Sequence, residues 1–337
     1  MLNFDEARFI RIQSGAVAAA NDLRGIVAET LAKGIDNLVF LGTGGAAILM
    51  EPAAWLMQRQ SAFPAFVERS AELPVAGSRR IGPRSLVILP SLSGTTSETV
   101  AALAWCNSRG ARTVSLVGHA DTPLGRDAGR TVVNFAEDDT SCESFYVQSL
   151  AVALAIMADR GEFDGIDALF AELARLPEAL LEAKRRFEPE AKAFAEAIAA
   201  APWHIVSGAG MAWPQAFYYG MCILEEMQWI RTRPVHASDF FHGTLELVDE
   251  KASVILLKGE DAARPLADRV ERFARERAGH LLVLDAAAHA AGALSPRLRA
   301  LVSPVILATL LERVSAHLEV IRNHPLTTRR YYKRVPY

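Results

Sequence analysis

The amino-acid sequence predicts an α/β protein with two similar halves, each a parallel β-sheet flanked by helices. Short, continuously apolar segments alternate with longer segments of helical spacing, which is typical of parallel strands covered on both faces. An apolar segment that runs into glycines occurs once in each half, as NLVFLGTGG and as WHIVSGAG, and this repeated layout indicates a duplicated fold. The chain of 337 residues is also long enough for two ordinary domains.

In the first half, the apolar segments predict strands that are separated by helices. An N-terminal helix is expected first, and a helix from about Thr96 to Arg109 and an apolar helix over residues 144–160 come later. The expected strands, in chain order, are 37–42, 65–70, 85–90, 113–118 and 131–136.

The second half repeats this alternation after a purely helical segment. Residues 163–200 are rich in Ala, Glu, Leu and Arg at helical spacing, so they are expected to form connecting helices. Strands are expected at 203–210, 253–259 and 280–285, with a helix from about Pro214 to Ile230 after the first of them. The predicted domains are therefore 1–160 and 201–337, the second with a C-terminal tail, joined by helices at 161–200.

Composition and charge exclude several classes of function. The net charge is −3 and no Lys/Arg block is present, so neither a nucleic-acid partner nor a membrane surface is expected. No apolar segment reaches the roughly 18 residues of a membrane span, and the N-terminus does not resemble a leader. Three scattered cysteines, Cys106, Cys142 and Cys222, predict reduced thiols in a cytoplasmic protein. No His, Cys or Asp cluster has the spacing of metal ligands, so no metal is expected.

A segment dense in hydroxyl groups, SLSGTTSET at 91–99, follows the apolar strand SLVILP. Ligands of open parallel sheets collect at the carboxyl ends of strands, where helix N-termini favour an anion such as phosphate. Ser91, Ser93, Thr95 and Thr96 are therefore candidate phosphate contacts, and Gly94 allows a close approach of the backbone. Ordinary N-capping explains one hydroxyl before a helix but not six in nine residues.

A second glycine-rich loop, GTGGA at 42–46, contains the candidate substrate-binding residue Gly44. Its alternative interpretation is a tight turn without a ligand. The dinucleotide pattern G-x-G-x-x-G is not met, because its third glycine falls on Ala47, and the chain has no G-K-[ST] sequence. A neutral, hydroxyl-lined pocket fits a small phosphosugar better than a nucleoside triphosphate.

The SLSGTTSET loop resembles the phosphate signature of the sugar isomerase (SIS) family, and the resemblance covers nearly the whole chain as two tandem SIS domains. It implies phosphate contacts from Ser91, Ser93 and Thr96, with Ser141 near the sugar. The segment ILEEMQWIRTRPVHASDFFHGTLELVDE at 223–250 resembles the fructosamine-6-phosphate deglycase branch of that family. In that branch a Glu and a His lie sixteen positions apart, which here implies Glu226 and His242 as catalytic residues.

Glu226 and His242 each have a structural alternative. An α-helix would place Glu226 among apolar side chains, where partial desolvation raises a carboxyl pKa towards that of a general base. The alternative is a structural carboxylate paired with Arg231 or Arg233. His242, in FFHG, is either a histidine packed in the core or the acid of the reaction, since imidazole titrates near neutral pH.

Several further residues are candidates for supporting roles. Asp239 stands where the family often carries Glu, and it could orient the site. His324 lies in the tail NHPLTTRRYYKRVPY, which resembles the deglycase tail. Lys333 is similar in position to the tail lysine of glucosamine-6-phosphate synthase, whose isomerase half is also built of SIS domains, although a solvated or lid charge is the simpler interpretation. The synthase pattern has a lysine three residues before its catalytic glutamate, and Ile223 stands there instead.

The resemblance implies a homodimer with shared active sites, to which His242 and the tail are contributed either by the same chain or by the neighbouring one. The implied reaction cleaves a 6-phosphofructosyl-amine, an Amadori product, with water to glucose 6-phosphate and free amine, through an enaminol and an imine. It needs no cofactor, because the carbonyl and amine of the substrate accept the electrons. The alternatives are an aldose–ketose phosphosugar isomerase and a non-catalytic phosphosugar sensor.

Overall fold

The computed structural model describes residues 1–133, 136–137, 143–289, 292, 294–332 and 334–335. The chain forms two compact units. The first unit is Glu6–Glu178, and the second unit combines Met1–Asp5 with Ala179–Tyr337. The division into domains at 1–160 and 201–337 with connecting helices between them stays a prediction.

The first unit is built on a five-stranded parallel sheet. Its two central strands, β1 and β3, are almost wholly buried, which explains why they read as continuous apolar segments. The strands lie in the order β2-β1-β3-β4-β5. They are Asn37–Gly42 (β1), Ala65–Arg69 (β2), Ser85–Ser91 (β3), Arg112–Val117 (β4) and Arg130–Val133 (β5).

Helices surround this first sheet, and the expected alternation of strands and helices is confirmed. They are Glu6–Leu31 (α1), Gly44–Ile48 (α2), Glu51–Gln60 (α3), Leu73–Ala76 (α4), Ser97–Ser108 (α5), Pro123–Asp127 (α6), Glu143–Asp159 (α7) and Ile166–Leu173 (α8). Helices α1 and α7 pack against each other along much of their length.

The second unit repeats the architecture with a four-stranded parallel sheet in the order β7-β6-β8-β9. Its strands are Trp203–Gly208 (β6), Arg231–His236 (β7), Ser253–Lys258 (β8) and His280–Asp285 (β9). Strand β7 was not predicted from the sequence. It lies at the edge of the sheet and is mostly polar, and an edge position tolerates Pro234, which has no backbone N–H to donate.

The helices of the second unit complete a fold of α/β type in both halves, as expected. They are Leu176–Ala200 (α9, which begins in the first unit), Trp213–Tyr218 (α10), Arg264–Arg277 (α11), Ala286–His289 (α12) and Pro296–Ile321 (α13). Short 3-10 turns occur at Gly210–Ala212, Asp239–His242 and Thr244–Leu247.

The expected α-helix over 214–230 is wrong in its second part. After α10 the chain continues as a π-helical segment, Tyr219–Glu225, and then turns into β7. The wider winding brings the N–H of Glu226 to the carbonyl of Met221, five residues back, at 3.1 Å. Strand β7 lies close to this segment at Gly220, where a Cβ atom would come within 2.9 Å of Pro234.

Helix α13 is, among the described residues, the one helix long and apolar enough to cross a membrane by length and composition. Its most apolar part is 89% buried inside the protein, which is typical of a core helix. The helix also carries Arg313, which is 1% exposed and pairs with Glu188 at 2.7 Å. We therefore interpret α13 as part of the core.

Two of the three cysteines, Cys106 and Cys222, are buried free thiols. Burial raises the pKa of each to about 12, so both stay protonated and unreactive near neutral pH. Cys142 lies outside the described residues.

Candidate functional site

The first sheet has a topological switch point between β1 and β3. Strand β1 has β2 on one side and β3 on the other, so the connections from β1 and β3 leave in opposite directions. In open α/β sheets the resulting crevice, at the carboxyl ends of the strands, is where ligands bind. The two loops that leave this point contain Gly44 and residues 91–96, so the tertiary structure brings both predicted loops to one edge of the sheet.

The loop from Ser91 to Thr96, here called the hydroxyl loop, keeps its side chains close together. The hydroxyl groups of Ser91 and Thr96 lie 3.2 Å apart, and the N–H of Thr95 points at Ser93 Oγ at 3.4 Å. Thr96 is the N-cap residue of α5, yet its side chain makes no capping hydrogen bond. The capping alternative is therefore not realised, and the first-turn N–H groups of α5 lack that internal acceptor. Such N–H groups form an anion-binding site.

Two glycines shape these loops. Gly44 and Gly94 have φ values of +55° and +62°, a region that side chains rarely occupy. A Cβ atom on Gly94 would also lie 2.2 Å from the Thr122 hydroxyl. The structure thus gives Gly94 a second requirement, close packing against Thr122, besides the approach of the backbone to an anion.

Thr43 is a residue of this edge that was missed from the sequence. Its Oγ1 atom is buried and has no hydrogen-bond partner in the described structure, although Thr43 directly precedes Gly44 at the start of α2. A buried hydroxyl without a partner is costly, so Thr43 is a further candidate for a polar contact to a ligand at the switch point. In the sequence, the only indication of a role for Thr43 was the pair of glycines on either side of it, Gly42 and Gly44.

The second sheet has a corresponding switch point between β6 and β8, but there the protein supplies its own anion. The Asp261 carboxylate accepts hydrogen bonds from the N–H groups of Met211, at 3.0 Å, and Ala263, at 2.8 Å. Glu260 beside it pairs with Arg299 at 3.0 Å. The hydroxyl loop of the first unit has no carboxylate between residues 91 and 97. The hydroxyl loop of the first unit is therefore the better candidate of the two for binding an external anion.

Glu226 lies directly after the π-helical segment and forms an ion pair with the C-terminal tail. Arg329 Nε and Glu226 Oε1 are 2.9 Å apart, and the two side chains are 17% and 31% exposed. The expected partners were Arg231 or Arg233, so Arg329 is a residue that the sequence did not single out. The ion pair fixes the position of the Glu226 carboxylate, a group of the type that serves as a general base.

A large open cavity of about 880 Å³ surrounds Glu226 within the second unit. Its volume is in the range of small-molecule sites. The neighbouring Glu225 accepts a hydrogen bond from the Thr232 hydroxyl at 2.6 Å. The charged and aromatic side chains that line the cavity are Glu225, Glu226, Trp229, Arg231, Arg329, Arg330, Tyr331 and Tyr332.

The other candidates are placed elsewhere. His242 and Asp239 are exposed in the turn after β7 and are not among the lining residues of this cavity, so the packed-core alternative for His242 is wrong. His324 is half-buried, with its ring 4.6 Å from that of Trp229. Ser141 and Lys333 lie outside the described residues. No group of three or more His, Cys, Asp and Glu side chains suited to a metal occurs in the part of the chain that the structure describes.

Comparison with known proteins agrees with these features. The family model described as "SIS domain" matches residues 33–158. The fructosamine deglycase FrlB of Bacillus subtilis is 30% identical to this chain, over 96% of the chain and the full length of the relative. The chain belongs to the SIS domain family.

Further likenesses in the SIS domain family extend over nearly the whole chain. A fructoselysine 6-phosphate deglycase of Escherichia coli O157:H7 is 25% identical over 91% of this chain and 88% of its own length. The crystal structure of a candidate phosphosugar isomerase from Bacillus subtilis superimposes with a TM-score of 0.88 at 28% identity, covering 96% of this chain and 99% of the other. These findings confirm the expected fold, which is two parallel sheets flanked by helices. They also confirm that the chain is a deglycase-like SIS protein.

Proposed function

We propose that this protein is a deglycase that cleaves 6-phosphofructosyl-amines with water to glucose 6-phosphate and the free amine. The observation that carries the proposal is the likeness, over 96% of the chain, to a relative named fructosamine deglycase. Two features of the structure support it: a loop rich in hydroxyl groups at the first switch point, and a carboxylate, Glu226, that is paired with Arg329 in an open cavity.

Glu226 is proposed as the general base. It removes a proton from C1 of the open-chain substrate, and the electron pair moves onto the carbonyl at C2 to form an enaminol. Reprotonation at C2 gives an imine between C1 and the amine nitrogen. Water adds to C1 and the C–N bond breaks, which releases the amine and leaves an aldehyde at C1. A positioned acid or base typically accelerates such steps by about 10²- to 10⁴-fold.

The proposed acid, which opens the sugar ring, is His242. Its imidazole is exposed on the isolated chain and does not line the cavity of Glu226. We infer a homodimer in which His242 of one chain completes the site of the other. Lys333, in the tail after Arg329, is proposed for a supporting role. Asp239, three residues before His242, is proposed to orient it.

Two carboxylates in one cavity give a matched test. We expect Glu226→Gln to lower kcat by about 10²- to 10⁴-fold while affinity is retained, because the amide keeps the shape but is not a base. Glu225→Gln, whose carboxylate accepts from Thr232, is expected to keep kcat within a few-fold. The assay uses 6-phosphofructosyl-lysine and 6-phosphofructosyl-glutamine and follows glucose 6-phosphate with a coupled dehydrogenase.

The alternatives give different results in the same assay. An isomerase would release no amine but would interconvert fructose 6-phosphate with an aldose phosphate, and that activity would still depend on Glu226. A sensor would bind phosphosugars without turnover of any substrate. Equal loss of kcat in both glutamine variants would contradict the assignment of Glu226 as the base.

A further inference from the structure

The hydroxyl loop is held by a second loop of the first unit, residues 118–125, here called the bracing loop. The bracing loop follows β4, the neighbour of β3 in the parallel sheet, so both loops leave the sheet at the same edge. The N–H of Gly118 donates to the carbonyl of Leu92 at 2.8 Å, and the N–H of Leu124 donates to the carbonyl of Gly94 at 3.1 Å. Two carbonyl groups of the hydroxyl loop are therefore engaged by donors of the bracing loop.

These two hydrogen bonds matter for an anion because a carbonyl oxygen carries a partial negative charge. Loops bind phosphate through N–H and hydroxyl groups, and a carbonyl oxygen turned towards the same space would repel it. The hydrogen bonds keep the carbonyl groups of Leu92 and Gly94 directed at the bracing loop. The position of the bracing loop therefore affects how well the hydroxyl loop presents its donors.

Thr122 is the side chain that connects the bracing loop within itself and with the hydroxyl loop. It is buried, and its hydroxyl group donates to the carbonyl of His119 at 3.0 Å and accepts from the N–H of Gly125 at 3.2 Å. The hydroxyl oxygen would also lie 2.2 Å from a Cβ atom on Gly94, so the two loops are in close contact at this point. A shift of Thr122 would therefore displace the hydroxyl loop as well.

We propose that Thr122 is a positioning residue for the phosphate site, because it holds the bracing loop in the conformation that orients the hydroxyl loop. It acts through the hydroxyl loop and not on the substrate, since its hydroxyl group is already engaged by His119 and Gly125. This inference rests on the assignment of the substrate phosphate to the hydroxyl loop, which is part of the proposed function. It is independent of which bond of the sugar the protein breaks.

Two substitutions of Thr122 and a matched control test the inference. Thr122→Val keeps the shape of the side chain and removes the hydroxyl group, whereas Thr122→Ser keeps the hydroxyl group. Thr113→Val is the control, because the buried Thr113 likewise donates to Asn107, at 3.2 Å, and accepts from the N–H of Gly129, at 2.9 Å. Thr113 lies near the amino end of β4, at the opposite edge of the sheet from the bracing loop.

Calorimetric titration of the full-length protein with fructose 6-phosphate and with fructose measures the two affinities. We expect Thr122→Val to weaken the binding of fructose 6-phosphate about tenfold, as for one misplaced hydrogen bond to a charged group, and Thr122→Ser to stay within about twofold of the natural protein. Thr113→Val should lower the unfolding temperature about as much as Thr122→Val, yet leave the affinity for fructose 6-phosphate unchanged. Binding of fructose, which has no phosphate, should be the same in every variant.

A second variant disturbs the same contact from another residue. In Gly118→Ala the added Cβ atom would lie 2.7 Å from the carbonyl oxygen of Leu92, so the two loops must move apart. We expect this variant to weaken the binding of fructose 6-phosphate as Thr122→Val does, which keeps the inference testable if Thr122→Val fails to fold. Retained affinity in Gly118→Ala would contradict the role of the bracing loop.

The outcomes separate this inference from the phosphate assignment. If the natural protein binds fructose 6-phosphate no more tightly than fructose, the phosphate site and this inference are both wrong. If the natural protein prefers the phosphorylated sugar, an equal loss of that preference in Thr122→Val and Thr113→Val would show a structural effect alone and overturn only the inference. A loss in Thr122→Ser as large as that in Thr122→Val would contradict a role of the hydroxyl group.

Discussion

Ser91→Ala and Thr96→Val, singly and together, test the assignment of the substrate phosphate to the hydroxyl loop. Their hydroxyl groups lie 3.2 Å apart, and Ser91 is 5% exposed. A hydrogen bond to a charged oxygen contributes about 1.5–3 kcal/mol, so the loss of each contact is expected to weaken phosphosugar binding by about 10- to 100-fold. The free energy of unfolding should change less, by about 1 kcal/mol for one neutral hydrogen bond.

The double variant separates binding from stability. Ser91→Ala alone leaves the Thr96 hydroxyl without its internal partner, whereas the double variant removes both members of the pair, and this is often close to neutral for stability. We therefore expect the double variant to be about as stable as Ser91→Ala, yet to bind phosphosugar more weakly than either single variant.

Calorimetric titration with fructose 6-phosphate and with fructose measures the effect. Ser97→Ala is the control, because the exposed Ser97 hydroxyl donates to Glu98 at 3.0 Å, outside the hydroxyl loop. Only the affinity for the phosphorylated sugar should fall. Unchanged affinity for fructose 6-phosphate in the double variant would refute the phosphate site, and an equal loss for both sugars would show a general distortion of the loop.

Two further predictions concern the second unit. Removing the charge partner of Glu226 with Arg329→Gln is expected to lower kcat/KM about fivefold, from about 1 kcal/mol for a partly exposed ion pair. An unchanged kcat/KM would contradict a role of this ion pair in positioning Glu226. His204 is buried, with hydrogen bonds to Ser253 and Ile198, and burial lowers its pKa from 6.5 to about 4. Between these two pH values the unfolded chain binds a proton at His204 and the folded chain does not. The contribution of neutral His204 to the free energy of unfolding is therefore fully present above pH 6.5 and is lost as the pH falls to about 4. The loss is about 3 kcal/mol at most, and urea unfolding of His204→Gln across this range should show a shallower pH dependence than the natural protein.

The sequence predicted the elements whose signals are local. Strands β1, β3, β6 and β8 are buried on both faces, so each one reads as a continuous apolar segment. Strand β7 was missed because it lies at the edge of its sheet, where polar residues and Pro234 are tolerated. The π-helical segment was missed because its wider winding accompanies a close approach of β7 at Gly220, which no local pattern indicates.

For the candidate site, the sequence by itself indicated which residues are candidates for the chemistry. The density of hydroxyl groups indicated the loop at 91–96, and the resemblance to the deglycase branch implied Glu226 and His242 as the candidate acid–base pair. Only the tertiary structure distinguished the two switch points, because the Asp261 carboxylate accepts hydrogen bonds from N–H groups at the second one. It likewise decided that Arg329, more than one hundred residues along the chain, is the cation beside Glu226. An ion pair between such distant positions depends on how the chain folds back on itself, and no short sequence pattern records it.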